Sequence, residues 1–254
     1  MTVQELYDRM SEQMPESLRE AWDNDGLMCS SDLNAPVRRV LVALDVTEEI
    51  VDYAVEGGFD LIVSHHPLIF RPVTHLVPTS NTARKLIRLS SGNVSVFSFH
   101  TRADKASGGV NDLLAERLEL SAVRPFGEDG LGRIGELKEE MTLEDFAYIL
   151  KGQLDTPTVQ VADAYNPVRR IALVGGDGKS YLADAIREGA DTFVSGQLSY
   201  NLMAEAPELG INMVEGGHFY TENPVVDGFA NMLLKIDPTL DVEKLNSNII
   251  RSIY

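Results

Sequence analysis

The chain is almost without sulfur nucleophiles: among 254 residues Cys29 is the only cysteine. No intrachain disulfide and no thiolate metal cluster can form. Basic residues are scarce too, 22 Lys plus Arg against 39 Asp plus Glu, which leaves a formal charge of −17. Such a surface repels phosphate backbones and anionic lipid, which argues against nucleic acid and membranes as partners. It leaves room for an anionic small molecule, because bound cations reverse the potential locally in a cleft. No apolar run approaches the roughly 20 residues of a membrane span. The opening MTVQELYDRMSEQM lacks the cationic start and apolar core of a signal peptide, and its Thr2 and Glu5 have capping-box spacing. The expected location is cytoplasmic. A phosphate-binding loop is missing as well. In Gly175-Gly176-Asp177-Gly178-Lys179-Ser180 the position five before Gly178 is Leu173, so the segment reads as a strand-to-helix turn.

What is present is a duplication. Pro36-Val37-Arg38-Arg39 returns as Pro167-Val168-Arg169-Arg170, and the offset of 131 holds to Asp60–Ser64 and Asp191–Ser195. Each copy runs from a β-branched strand through a turn and an amphipathic helix to a second strand, the pattern of βαβ units. The repeat resumes at an offset of 118, where Gly92–His100 aligns with Gly210–His218 and places an insertion near RPVTHLVPTSN. The expected architecture is α/β: two similar α/β/α halves with mixed sheets. The turn-rich stretch Pro125–Gly135 puts the boundary near residue 125, giving halves 1–125 and 126–254. Terminal elements can be exchanged between such halves.

The chain has five histidines, and the duplication organises four of them. His65 and His66 close a strand at the edge where open α/β sheets place ligands. His100-x-x-x-Asp104 matches His218-x-x-x-Glu222. Imidazole with carboxylate suits Zn, Mn, Fe, Co or Ni, and a bridging carboxylate brings two ions to about 3.5–4 Å. The positions aligned with His65 and His66 are Gly196 and Gln197, so the second half cannot donate that pair. One shared site between the halves explains this asymmetry better than two separate sites. Its expected ligands are His65, His66, Asp104, His218 and Glu222 around two divalent ions, with coordination positions left for water. His100 is assigned a supporting or acid/base role in preference to that of a sixth ligand. His75, in the insertion, reads as a solvated or packed histidine.

Several segments together resemble the type 2 GTP cyclohydrolase I homologues, also called Ngg-interacting-factor-like proteins. They are PESLREAWDNDGL, LVALDVTEEIVDYAV, DLIVSHHPLIF, HTRADKASGGVND, GLGRIG, DTFVSGQLSYN and GHFYTE, spread over nearly the whole chain. The resemblance implies a duplicated α/β fold, a dinuclear metal site with Glu222 as the bridge, and a homohexameric assembly. Where many members carry a second-half histidine pair, this chain reads Ser195-Gly196-Gln197-Leu198-Ser199-Tyr200-Asn201. The implied function is metal-dependent hydrolysis of a nucleotide-like small molecule, such as opening of a purine ring. The competing reading is a metal-holding scaffold or regulatory protein without catalysis.

Overall fold

The structure, a computed structural model, describes residues 1–253. In chain order come α1 (Val3–Gln13), β1 (Gly26–Cys29), β2 (Arg39–Ala43), α2 (Glu48–Glu56), β3 (Leu61–Ser64), α3 (Asn81–Ser91), β4 (Ser95–Ser98) and α4 (Thr101–Lys105). Next are α5 (Val110–Arg117), β5 (Ser121–Phe126), β6 (Gly132–Met141), α6 (Leu143–Leu154), β7 (Gln160–Ala162), β8 (Val168–Asp177) and α7 (Leu182–Arg187). The last stretch holds β9 (Thr192–Gln197), α8 (Tyr200–Ala204), α9 (Ala206–Leu209), β10 (Asn212–Glu215), α10 (His218–Glu222), α11 (Pro224–Ile236) and β11 (Asp241–Lys244).

These elements form two compact units, each built on a mixed sheet. The first comprises Met1–Ala106 with Val225–Ile249, and its strand order is β1-β4-β3-β2-β11. The four strands from β4 to β11 are parallel, and β1 runs antiparallel on the edge. The second comprises Ser107–Pro224 with residues 250–253, ordered β5-β6-β8-β9-β10-β7. Its centre, β8-β9-β10, is parallel, and β5, β6 and β7 are antiparallel additions. The fully buried run Leu61–Ser64 is what a parallel strand covered on both faces requires.

The duplication is written into the ladder. Val40 pairs with Leu61 and Ile171 with Thr192, the same 131-residue offset in both strands. One side chain repeats with it. Asp60 accepts from the amides of Arg38 and Arg39, and Asp191 accepts from those of Arg169 and Arg170. Each copy thus fastens the start of its first strand to the start of its second.

Two expectations need correction. The units do not divide near residue 125, because Pro125 lies inside β5, which pairs with β6 across a tight hairpin. Gly127 and Gly130 turn that hairpin in the left-handed region, so the glycine-rich stretch marks a β-turn within one sheet. The terminal elements are redistributed as well. Helix α5, from the first copy, packs in the second unit, where Asn111 accepts from the Gly175 amide and donates to the Leu131 carbonyl. Helix α11, from the second copy, packs in the first unit, with Phe229 against Phe99 and β11 beside β2.

The second correction concerns the 118-residue offset. The Ser95 amide donates to Asp60 O and the Phe99 amide to Ser64 O. Their counterparts are Asn212 to Asp191 and Gly216 to Ser195, an offset of 117. By this register His218 answers Thr101 and Glu222 answers Lys105. Helix α4 accordingly starts at Thr101 and α10 at His218. The matching H-x-x-x-acid motifs are one residue out of structural step, so His100 precedes its helix while His218 opens one.

One core cluster of the second unit gathers Leu114, Leu143, Phe146, Leu150, Val168, Ile171 and Val194. Replacing Phe146, which is 1% exposed, by alanine is expected to destabilise the protein by about 3–5 kcal/mol, read from the urea unfolding midpoint. A loss under about 1 kcal/mol would contradict this packing.

Candidate metal centre

In the first unit the C-terminal ends of β3 and β4 carry the chemistry, the edge at which parallel strands leave room for ligands. Ser64 lies fully buried there; its hydroxyl is 2.9 Å from that of Ser98, and it reaches the His66 carbonyl at 3.0 Å. The chain beyond each strand is therefore fixed before the histidines begin. His65 is fully buried and His66 partly so.

Each imidazole is oriented by an acceptor at Nδ1. His65 Nδ1 is 2.9 Å from the Phe99 carbonyl, His66 Nδ1 is 2.7 Å from Asp45, and His100 Nδ1 is 2.8 Å from Asp23. A carbonyl or carboxylate only accepts, so each Nδ1 carries the hydrogen and each Nε2 the lone pair. The three rings lie with centroids 5.0–5.8 Å apart, and one ring nitrogen of each falls within 4.8 Å of the others. Asp104, on α4, brings a carboxylate oxygen to 3.6 Å from His65 Nε2. This is the arrangement that turns imidazoles into metal ligands, with the outer hydrogen bond fixing tautomer and ring direction.

The second unit makes a smaller set in the same way. His218 Nδ1 is 3.3 Å from Gln197 Oε1, and His218 Nε2 is 3.2 Å from Glu222 Oε2. Glu222 is buried, whereas the His218 side chain is 41% exposed. Space for this pair comes from glycine. A Cβ on Gly176, whose φ is +64°, would run into the Glu222 carboxylate and crowd His218. The end of β8, at Gly176, therefore accommodates Glu222 and His218. A Cβ on Gly196 would strike Thr221 Oγ1 and the Gly176 carbonyl. That contact is why the position aligned with His65 holds no histidine: α10 approaches the strand too closely for a side chain.

Sequence reasoning missed the acceptors. Asp23 is buried and receives the Thr101 amide at 3.1 Å and the Thr101 hydroxyl at 2.6 Å besides His100. Asp25, two residues on and so on the same face of an extended segment, holds Arg102. That guanidinium is fully buried, 3.0 Å from Asp25, donating to the Met14 carbonyl and lying over the Phe99 ring at 4.8 Å. The alternation Asp23-Asn24-Asp25 before Gly26 was the available signal. His75 lies exposed beside Thr74, away from this chemistry.

The Asp23–His100 pair titrates away from ordinary values. Burial raises the Asp23 carboxyl, but hydrogen bonds from His100 and Thr101 overcome it and hold Asp23 down at about 2. Burial lowers His100, yet the Asp23 hydrogen bond and the charges of Asp104 and Asp23 outweigh it and hold the imidazole above its ordinary value.

Residues 1–252 match the Duf34/NIF3 (NGG1p interacting factor 3) family. The chain belongs to that family. A Clostridium perfringens relative, called a GTP cyclohydrolase 1 type 2 homolog, is 33% identical over 98% of this chain and 94% of its own length. A Bacillus subtilis protein with the same name is 28% identical over 90% of each chain. Among solved structures, a Staphylococcus aureus hypothetical protein superposes with a TM-score of 0.90 at 28% identity, covering 100% of this chain and 99% of its own. A Bacillus cereus protein related to NIF3 gives 0.88 at 26% identity with the same coverage. The mixed two-sheet fold is thus that of the DUF34/NIF3 family. Among the described residues no helix is long and apolar enough to cross a membrane.

The Asp23 network gives a pH prediction for the metal-stripped DUF34/NIF3 protein. A carboxyl depressed from 3.8 to about 2 contributes on the order of 2 kcal/mol of stability, present above about pH 4 and lost as pH falls toward about 2. Urea midpoints of the wild type and Asp23→Asn should differ most near pH 6 and converge below about pH 4. A difference unchanged down to pH 3 would show that Asp23 is not held ionised by His100 and Thr101.

Proposed function

We propose that this protein is a metal-dependent hydrolase of a nucleotide-like small molecule. In this reading His65, His66 and Asp104 of the first unit and His218 and Glu222 of the second hold one pair of divalent ions. The observation that carries it is the shared orientation: the three ligand histidines, His65, His66 and His218, each meet an acceptor at Nδ1, which leaves Nε2 as the donor atom in each. A structural zinc site would close four ligands around one ion. Here the donors are nitrogen and oxygen without sulfur, a set that would hold divalent first-row ions.

Ions bound there supply Lewis acidity and water activated near neutral pH. The chain's own residues supply the rest. Buried His65 and the glycine-cradled Glu222 keep the donors stationary through turnover. Asp45 and Gln197 hold the His66 and His218 rings to one tautomer. His100, braced by Asp23, exchanges a proton at Nε2 and is placed to protonate a leaving group or take a proton from water. Asp104 stands beside His65 as the first unit's carboxylate. The name shared by the relatives points to a purine nucleotide, and a phosphoester of a nucleotide suits the same ions. Assembly as a homohexamer and residence in the cytoplasm belong to this proposal.

The test is turnover of GTP and a nucleotide phosphoester panel by metal-loaded wild type against Glu222→Gln. The expected result is measurable hydrolysis that falls by about 10²-fold or more in the variant, which keeps its volume but loses its charge. Equal rates, or no turnover by the wild type with ions bound, would refute the enzyme reading and favour the scaffold.

A further inference from the structure

Trp22 is the chain's only tryptophan, and its side chain stands 63% exposed. Phe70 is 50% exposed beside it. Rings of this size ordinarily bury most of their surface, so two standing free side by side need a reason. Neither is loosely tethered. Trp22 immediately precedes Asp23, whose carboxylate is fixed by Thr101 and His100. Phe70 immediately follows Ile69, whose carbonyl accepts from the Asn24 side-chain amide. The two segments are thereby fastened to each other.

Their position is informative. Trp22 and Phe70 meet edge to face at 6.3 Å and 68°, and each meets the His100 ring in the same manner, at 6.2 Å and 6.3 Å. His100 in turn lies 5.2 Å from His65 and 5.8 Å from His66. The exposed rings therefore adjoin the imidazole cluster directly. Because the three rings touch one another edge to face, they enclose no cage for a cation among them. What they offer is the outward faces of Trp22 and Phe70, surfaces suited to stacking a flat ring.

We infer that Trp22 and Phe70 form a stacking platform that binds the planar heteroaromatic ring of the substrate and holds the rest of that molecule against the His65, His66 and Asp104 cluster. The inference rests on the hydrolase reading only for what happens at the ions; the platform itself stands on the ring geometry. It names the substrate class as molecules carrying a nucleobase-like ring. The shared chemistry of all bases, a π face, means that the platform selects a ring without selecting which one.

The sole tryptophan makes the test direct. Metal-loaded full-length protein is titrated with the four ribonucleoside monophosphates and with ribose 5-phosphate, reading Trp22 emission, while elemental analysis counts ions in the same sample. The expected result is saturable quenching by at least one nucleotide and none by ribose 5-phosphate. Phe70→Ala weakens binding by about tenfold or more, and Trp22→Ala does the same by calorimetry, with ion content unchanged in both. Ions present but no nucleotide bound, or affinities unaffected by both substitutions, would overturn the platform while leaving the metal reading intact. Ions absent with quenching retained would sink the hydrolase reading and leave the platform standing. If Phe70→Ala changes the sedimentation coefficient and not the affinity, the rings face another copy of the chain and the inference fails.

Discussion

An imidazole presents two nitrogens, and it becomes a dependable metal donor only when something else claims one of them. Here that something is supplied by backbone and carboxylates already committed to the fold. The Phe99 carbonyl that orients His65 lies just past β4, one residue beyond the buried Ser64–Ser98 contact. Asp45 follows the end of β2, and Asp23 precedes β1. Three strand ends therefore converge to aim three rings. The sheet is needed for this chemistry because only adjacent strands in fixed register bring their ends within one hydrogen bond of each other.

The duplication explains how a second set of donors came from the same plan, and the departures from symmetry explain why it is a different set. Both copies keep the aspartate clamp that ties the starts of their strands, at Asp60 and Asp191. Both central strands carry a buried serine at the matching position, Ser64 and Ser195. Beyond that point they part. In the first copy Ser64 leads to two histidines; in the second the close approach of α10 admits only glycine at position 196. The one-residue slip between ladder and motif follows in the same region, so His218 opens a helix and faces Glu222 one turn later. His100 instead sits before its helix, against Asp23.

Much of this was legible in sequence. The βαβ alternation, the 131-residue repeat and the Thr2 cap all rest on local patterns that survive without coordinates. The unit boundary was not legible. Turn residues at 127–130 look alike whether they end a domain or turn a hairpin, and only the pairing of β5 with β6 decides. Nothing in the sequence of α5 or α11 says which sheet it covers. The 118-residue alignment failed for a related reason: it matched residue types, Gly, Val and His, while hydrogen bonds set the register one residue away. The orienting acids were readable in part, since Asp23 and Asp25 alternate toward one face. Gln197 was read only as a departure from pattern, and its bond to His218 shows it to be a replacement part.

The proposed function depends on His65, His66, Asp104, His218 and Glu222 holding divalent ions, with each imidazole turned by an acceptor at Nδ1. Anomalous diffraction from crystals of the metal-loaded protein tests it most directly. Two peaks per chain are expected, with Nε2 of His65, His66 and His218 at about 2.0–2.1 Å and the carboxylates of Asp104 and Glu222 completing the shell. A single peak held by one unit's residues alone, or ligation through any Nδ1, would contradict it.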